Sequence, residues 1–367
     1  MSRRRLIVIG PLPPPVHGVT VSTSLVLANR TLQGRFLVTH FDTSDHRDGT
    51  NVGRWDVTNL VIGLRNVVSL IWTLSGERGT VYLPMSQSTG AFLRDSLFIR
   101  VARVRGWKVA IHLRGSEILQ FYEAQGWFFK WWARRTMGLV TSAAVMGESL
   151  RNVFGPLVPA ERIAVVPNGT PANASELSRQ DSSTVLFLSN LLRRKGVVEA
   201  VSAACITAEQ VPAARFVFVG AWEDRQLEVE LREKARPLGD RVEFLPLVSG
   251  AAKDDLLASA AVLLFPPREP EGHPRVVLEA TAAGLPVVAT DRGAIAETIE
   301  DGICGFVLPD PDPEALAEKL VELLVDNDLR GRMSVASRNA YELRFTQEIA
   351  DRRLADWLAA SAREEQS

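Results

Sequence analysis

The sequence predicts an α/β protein built as two doubly wound domains, and three observations carry that expectation. A chain of 367 residues is longer than one hydrophobic core usually supports. Short β-branched runs alternate with helical patterns along its length, as parallel sheets with crossover helices require. Pro167-Asn168-Gly169, followed by a polar tract over residues 170–183, divides the runs into two series. This places a first domain at residues 1–168 and a second at 169–345.

The first series comprises residues 6–9, 36–41, 80–83, 109–113 and 163–166. Arg3, Arg4 and Arg5 precede only the short run 6–9, which ends in Gly10-Pro11 and so reads as a first strand, not a signal peptide. The most apolar longer region, 60–74, is broken by Arg65 and Asn66, and no other stretch has the length to span a bilayer. A cytoplasmic location without a transmembrane segment is expected. Residues 10–20, GPLPPPVHGVT, make a Pro- and Gly-rich strand-to-helix turn. In His112-Leu113-Arg114-Gly115-Ser116-Glu117, His112 and Arg114 lie two apart and share one side of an extended chain. Residues 121–135 gather Trp127, Trp131 and Trp132 with Lys130, Arg134 and Arg135. They form either a core helix whose tryptophans pack on the sheet or a helix lying at a lipid interface.

The second series comprises residues 185–188, 216–219, 242–245, 262–265, 287–289 and 305–308. Its most informative stretch is 265–305, where Glu271 lies in a Pro- and Gly-broken loop and Glu279 lies within a helical pattern. That pattern opens at Pro274 and stops at Gly284, the expected punctuation of a helix. A helix start directly after a strand turns unpaired N–H groups and a partial positive charge beyond the strand's carboxyl end, which favours phosphate. Gly272 lets the backbone come close. Two carboxylates, one on the loop and one on the helix, can hold hydroxyls of the two rings that flank such a phosphate. The arrangement suits a nucleotide sugar. Asp310 and Asp312 form an Asp-x-Asp, but Asp312 precedes Pro313-Glu314 and reads as a helix cap instead of a metal ligand.

Composition narrows the classes further. With 46% hydrophobic and 23% charged residues the chain is globular, with no low-complexity segment and no internal repeat. The net charge of -1 hides 20 Lys plus Arg against 10 Asp plus Glu in residues 1–170, and 22 against 33 in the rest. The first half is thus suited to an anionic partner such as a membrane surface, a lipid diphosphate or an acidic glycan, with attraction between the halves as the alternative. No nucleic-acid module is recognisable, so nucleic acid is not an expected partner. Cys205 and Cys304 stand apart from each other and from any histidine at ligand spacing, which excludes disulfides and structural zinc from the expectation.

Glu271 and Glu279, then Ala280, Ala283-Gly284-Leu285-Pro286-Val287-Val288-Ala289-Thr290, Gly293 and Glu297, resemble the retaining family 4 glycosyltransferases of the GT-B fold, glycosyl transferases group 1. The resemblance implies two facing Rossmann-like domains with a cleft between them. It also implies that the last helix, about residues 346–367, crosses back to the first domain, with Ile349, Leu354, Trp357 and Leu358 on one face. The implied activity is retaining, metal-independent transfer of a sugar from a UDP- or GDP-linked donor to a hydroxyl acceptor. That acceptor would be a glycan or a lipid-linked molecule, in polysaccharide or glycolipid biosynthesis. No cofactor and no metal are expected, and the protein would act in the cytoplasm, at the inner face of a membrane if its basic half touches one.

Residue by residue, the resemblance assigns catalysis to Lys195, Glu271, His112 and Arg114. Donor binding falls to Gly18, Asn190, Arg194, Gly272, His273, Pro274, Arg275 and Glu279, with Tyr122 and Glu117 on the acceptor side. Asn190 stands where the family carries an arginine, and Arg193 or Arg194 is the available replacement. His112 lies two residues before the position at which the family often has its histidine; that position is Arg114 here. The rival readings are a sugar-nucleotide 2-epimerase on a similar architecture and a glycan-binding relative without turnover.

Overall fold

The computed structural model describes residues 3–13, 18–44, 57–172 and 182–363. Part of the 10–20 turn, residues 14–17, lies outside that description, as do residues 173–181 of the polar tract and the last four positions. The chain divides into two compact units. Unit 1 is Met1–Pro167 with Ala350–Ser367, and unit 2 is Asn168–Ile349.

Unit 1 carries β1 (Arg4–Gly10), β2 (Phe36–Asp42), β3 (Thr80–Met85), β4 (Lys108–Leu113), β5 (Ser142–Val145) and β6 (Ile163–Val165). They form one parallel sheet in the order β2-β1-β3-β4-β5-β6. Its helices are α1 (Gly18–Ala28), α2 (Arg30–Arg35), α3 (Val57–Thr73), α4 (Thr89–Val104), α5 (Ile118–Glu123) and α6 (Trp127–Met137). β5 is absent from the runs read in the sequence. Its residues, Ser-Ala-Ala-Val, carry a single β-branched side chain, and only pairing between β4 and β6 makes them a strand.

Unit 2 follows the same scheme with β7 (Thr184–Leu188), α7 (Val197–Gln210), β8 (Arg215–Val219), α8 (Arg225–Ala235), β9 (Val242–Leu245) and α9 (Ala251–Ser259). Then come β10 (Val262–Phe265), α10 (Arg275–Ala282), β11 (Val287–Thr290), α11 (Ile295–Thr298), β12 (Gly305–Leu308), α12 (Pro313–Val325) and α13 (Asn327–Arg344). The sheet order is β12-β11-β10-β7-β8-β9, all parallel. Strand alternation sends Phe187, Phe216 and Phe218 to one buried face and Leu186, Leu188 and Phe265 to the other. The helix starts obey local chemistry. Asp312, the residue read as a cap, accepts from the Ala315 amide at 3.1 Å, and Asp224 and Asp326 cap α8 and α13 the same way.

The final helix, α14 (Gln347–Ser361), leaves unit 2 and packs into the core of unit 1. Leu354, Ala355, Trp357 and Leu358 bury against Leu6, Val8, Tyr82, Ala110 and Ala144, which share a parity along their strands. The Trp357 indole donates to Ser142 Oγ at 2.7 Å, and Asn29, which caps α2, donates to the Asp351 carbonyl at 3.0 Å. Right-handed crossovers put α3, α4 and α6 on the opposite face, where α4 touches both neighbours. Among the described residues no helix is long and apolar enough to cross a membrane.

Candidate active site

In unit 2 the strand order reverses between β7 and β10, since β7 leads outward to β8 while β10 lies on its other side. Ligands in open α/β sheets bind at such a switch point, beyond the carboxyl ends of the strands. The loop after β7 ends in a short 3-10 turn, Arg193–Lys195, and the loop after β10 carries Glu271 into α10.

Close backbone contacts fix these loops against each other. Gly196, at φ +76°, opens α7 where a Cβ would fall 1.8 Å from the Pro266 carbonyl oxygen. Only glycine combines that conformation with that approach. The Arg194 carbonyl accepts from the amides of Arg268 and Glu269 at 3.1 and 3.4 Å. Gly293, at φ +64°, does the same service after β11, because a Cβ there would lie 1.9 Å from the Glu271 carbonyl oxygen. The next amide, Ala294, donates to the Gly272 carbonyl at 2.9 Å.

Two ion pairs occupy this frame. Lys195 Nζ donates to Glu271 Oε1, both side chains largely buried, with the ammonium 5.7 Å from the centre of the Phe265 ring. Lys253 Nζ, from α9, donates to Glu279 Oε1 at 2.8 Å. Each carboxylate proposed to hold a hydroxyl thus already carries a lysine. An ammonium has three donors, so each lysine can keep its carboxylate while reaching a second anion. Lys253 joins the candidate site only through Glu279, and sequence reading missed it because it sits in an ordinary polar helix with no motif around it. Its pairing with Glu279 is tertiary.

The remaining unit 2 positions divide by what surrounds them. Gly272 and Pro274 are buried at the start of α10, with Pro274 its N-cap and Arg275 its half-buried first residue. His273 is buried, and both ring nitrogens are engaged inside the unit. Nδ1 accepts from the Asn168 amide at 3.1 Å, and Nε2 faces Thr298 Oγ1 at 2.9 Å. The Asn168 side-chain Nδ2 also donates to the His273 carbonyl at 2.9 Å, and the ring meets Phe345 edge-on. Its side chain therefore shapes the loop instead of facing a ligand. Asn190 is exposed just past β7. Arg193 does not replace the missing arginine, because its guanidinium pairs with Glu230 on α8 and its amide donates to Glu223. Arg194 is exposed, and among the described residues its side chain makes no ion pair.

In unit 1 the expectation for His112 needs correction. The ring is enclosed between Tyr82 and Trp357, each edge-on at 6.0 and 5.7 Å between centres. Arg114 donates to the Tyr82 hydroxyl at 2.9 Å, which leaves that hydroxyl to donate to His112 Nδ1 at 3.1 Å. Burial, and then the Arg114 charge, push its pKa well below 6.5, against a smaller contribution from the Val166 backbone. His112 is thus a neutral core residue. Arg114 stays half-buried at the strand end. Gly18 opens α1 with open space where a Cβ would stand. Tyr122 is buried beneath Lys130 and Arg134, and Glu117 is exposed.

Two parallel six-stranded Rossmann-like sheets, with an acid-and-lysine site at the switch point of the second, define the GT-B architecture. HepE of Anabaena, solved with UDP and glucose, superposes with a TM-score of 0.75 over 98% of this chain and 100% of its own, at 18% identity. A glycosyltransferase from Rickettsia africae gives 0.78 over all of both chains at 15% identity. These likenesses concern the fold. Residues 171–340, most of unit 2, match the family Glycosyl transferases group 1.

Among curated relatives, the amylovoran biosynthesis glycosyltransferase AmsK of Erwinia amylovora is 29% identical over 212 residues, 54% of this chain and 51% of AmsK. The GDP-mannose-dependent alpha-(1-6)-phosphatidylinositol monomannoside mannosyltransferase of Mycobacterium tuberculosis is 32% identical over 223 residues, 54% of this chain and 56% of its own. The chain spans about half the length of the curated relatives it matches.

Proposed function

We propose that the protein is a retaining glycosyltransferase that moves a sugar from a nucleoside diphosphate sugar to a hydroxyl of a glycan or lipid-linked acceptor, without a metal. The observation that carries this reading is the pair of lysine-held glutamates astride the switch point, Lys195–Glu271 and Lys253–Glu279. Glu279 holds the ribose hydroxyls and Glu271 those of the donor sugar. The α10 start and Lys195 take the diphosphate, and Lys253 keeps the Glu279 carboxylate in place.

As the glycosidic bond to the nucleotide breaks, charge grows on the departing diphosphate. A lysine already positioned there stabilises that charge more in the transition state than in the ground state, which lowers the barrier. The donor-side cation is then supplied by the chain and not by a divalent ion. Glu271 and Glu279 are each held by a lysine, which fits them to bind hydroxyls more than to attack as covalent nucleophiles and favours front-face transfer with the leaving phosphate receiving the acceptor proton. The relatives support the class of substrate: the mycobacterial enzyme is named for GDP-mannose and a phosphatidylinositol acceptor, and HepE was solved with UDP.

The test is a panel of UDP- and GDP-sugars with membrane lipid extract, following nucleotide release and sugar incorporation into lipid or polymer. Incorporation with retained anomeric configuration, in the presence of a chelator, is the expected result. Release without incorporation, or a new epimer of the donor, would overturn transfer. Calorimetry on Glu279→Ala should show donor affinity down about tenfold, near 1.4 kcal/mol.

A further inference from the structure

The face of unit 1 formed by α3, α4 and α6 carries an unusual surface. Each helix presents an outward stripe at i, i+3, i+4 or i+7 spacing in which apolar or aromatic residues alternate with cations. On α3 the stripe is Arg65, Val68 and Trp72, the indole 76% exposed. On α4 it is Leu97 and Val104, the last 87% exposed, with the half-buried Arg100 between them turned towards Thr136 of α6 at 3.0 Å. On α6 it is Trp127, Phe128, Trp131 and Arg135, the three aromatics exposed to 80, 60 and 49%. The sequence left α6 open between core and lipid interface. Of its tryptophans only Trp132, with the Arg100 guanidinium 3.8 Å over its ring, fits the core reading, while Phe129, Ala133 and Met137 form the inward side of the helix.

Charge on this layer is one-sided. Across the three helices seven Arg and Lys accompany a single acid, Asp95, which is buried and already paired with Arg94 at 2.7 Å. The layer thus presents aromatic side chains and cations with no exposed carboxylate. A soluble acidic glycan would match the cations but gain nothing from Trp127, Phe128 and Val104. An apolar protein patch would match those side chains but leave the cations without partners. An anionic surface with hydrocarbon directly beneath satisfies both.

We infer that the outer face of α3, α4 and α6 docks on an anionic phospholipid membrane. Trp72, Trp127, Phe128 and Trp131 enter the headgroup region and Arg65, Lys130, Arg134 and Arg135 pair with lipid phosphates. This deepens the proposed function by bringing a lipid-linked acceptor within reach of unit 1, and it rests on that reading for its purpose only. The contact itself needs neither donor nor acceptor.

The experiment is co-sedimentation of the full chain with vesicles of phosphatidylglycerol and phosphatidylcholine, or of phosphatidylcholine alone, without sugar nucleotide. Binding is expected to the anionic vesicles only and to weaken as salt rises. Arg134→Glu with Arg135→Glu should cost roughly fivefold or more per cation removed. Trp127→Ala with Trp131→Ala should abolish sedimentation at 0.15 M salt. These side chains are on the surface, so thermal unfolding and donor affinity should stay as in the parent chain. Trp72→Ala is the decisive variant, because a contact made by α6 alone would not feel it. Unchanged binding in the Trp72 variant overturns the three-helix face. Equal binding to a soluble polyanion such as heparin, insensitive to the tryptophans, overturns the membrane. Donor binding with no vesicle binding would overturn this inference and leave the transferase reading standing.

Discussion

At the carboxyl end of β7, Lys195 meets Glu271 with part of each side chain still reaching solvent. Near the carboxyl end of β4, His112 is sealed between Tyr82 and Trp357. Both residues follow the same sheet logic and both looked reactive in the sequence. What separates them is the layer above the strand end. In unit 2 the loops, fixed against each other at Gly196 and Gly293, leave part of Lys195 and Glu271 exposed, while in unit 1 α14 lays an indole over the histidine. A titratable residue near a strand end is therefore a functional prospect only where no helix closes over it.

The hardest blow to this contrast would come from Lys195→Ala. Turnover should fall by roughly 10²–10³, as when one preorganised donor to a developing anion is removed, a larger effect than the loss of stability from leaving Glu271 unpaired. A variant that turns over like the parent would reduce the Lys195 site to the status of His112. Next in size is Gly293→Ala, whose Cβ would be forced against the Glu271 carbonyl at positive φ. Urea midpoints should report a loss of about 2–3 kcal/mol, whereas Gly18→Ala, where the space is open, should change stability by less than about 1 kcal/mol.

The third prediction tests the other side of the comparison. The folded-state pKa of His112 lies well below 6.5, so between the two values the unfolded chain binds a proton that the folded chain refuses. Stability contributed by the neutral ring is present above about pH 6.5 and is lost as pH falls below it, by at most about 1.4 kcal/mol per pH unit. His112→Gln, measured by denaturant midpoints at pH 5 and 7.5, should flatten that slope by up to one proton. An equal slope in both proteins would show that the ring is not sealed. Smallest is Asn190→Arg, which restores charge at an exposed strand end. Calorimetry should find nucleoside diphosphate binding about threefold tighter at low salt and unchanged at high salt.

The alternation of β-branched runs made most of both sheets legible, as did the Pro274 and Gly284 punctuation of α10. Glu271, Glu279 and Lys195 could be singled out as candidates because their motif is local, and the structure brings Lys195 to Glu271. What escaped depends on distant packing. β5 is strand only by its neighbours, Lys253 finds Glu279 across a fold, and Arg193 is claimed by Glu230, which no local pattern announces. Parity along β4 put His112 and Arg114 on one side correctly but said nothing of the helix from the far end of the chain that covers that side.

The His273 ring, read as a donor ligand, instead joins three stretches of backbone. Asn168, where the chain enters unit 2, bonds to the ring and carbonyl of His273, and Phe345, near where it leaves, lies against the ring. Thr170 then bonds the Phe345 carbonyl at 3.1 Å and accepts the Tyr341 hydroxyl at 3.1 Å. The loop that carries Glu271 and Gly272 thus shares one stitch with both of the unit's exits, and an ångström of movement in that loop would cost hydrogen bonds at the exits.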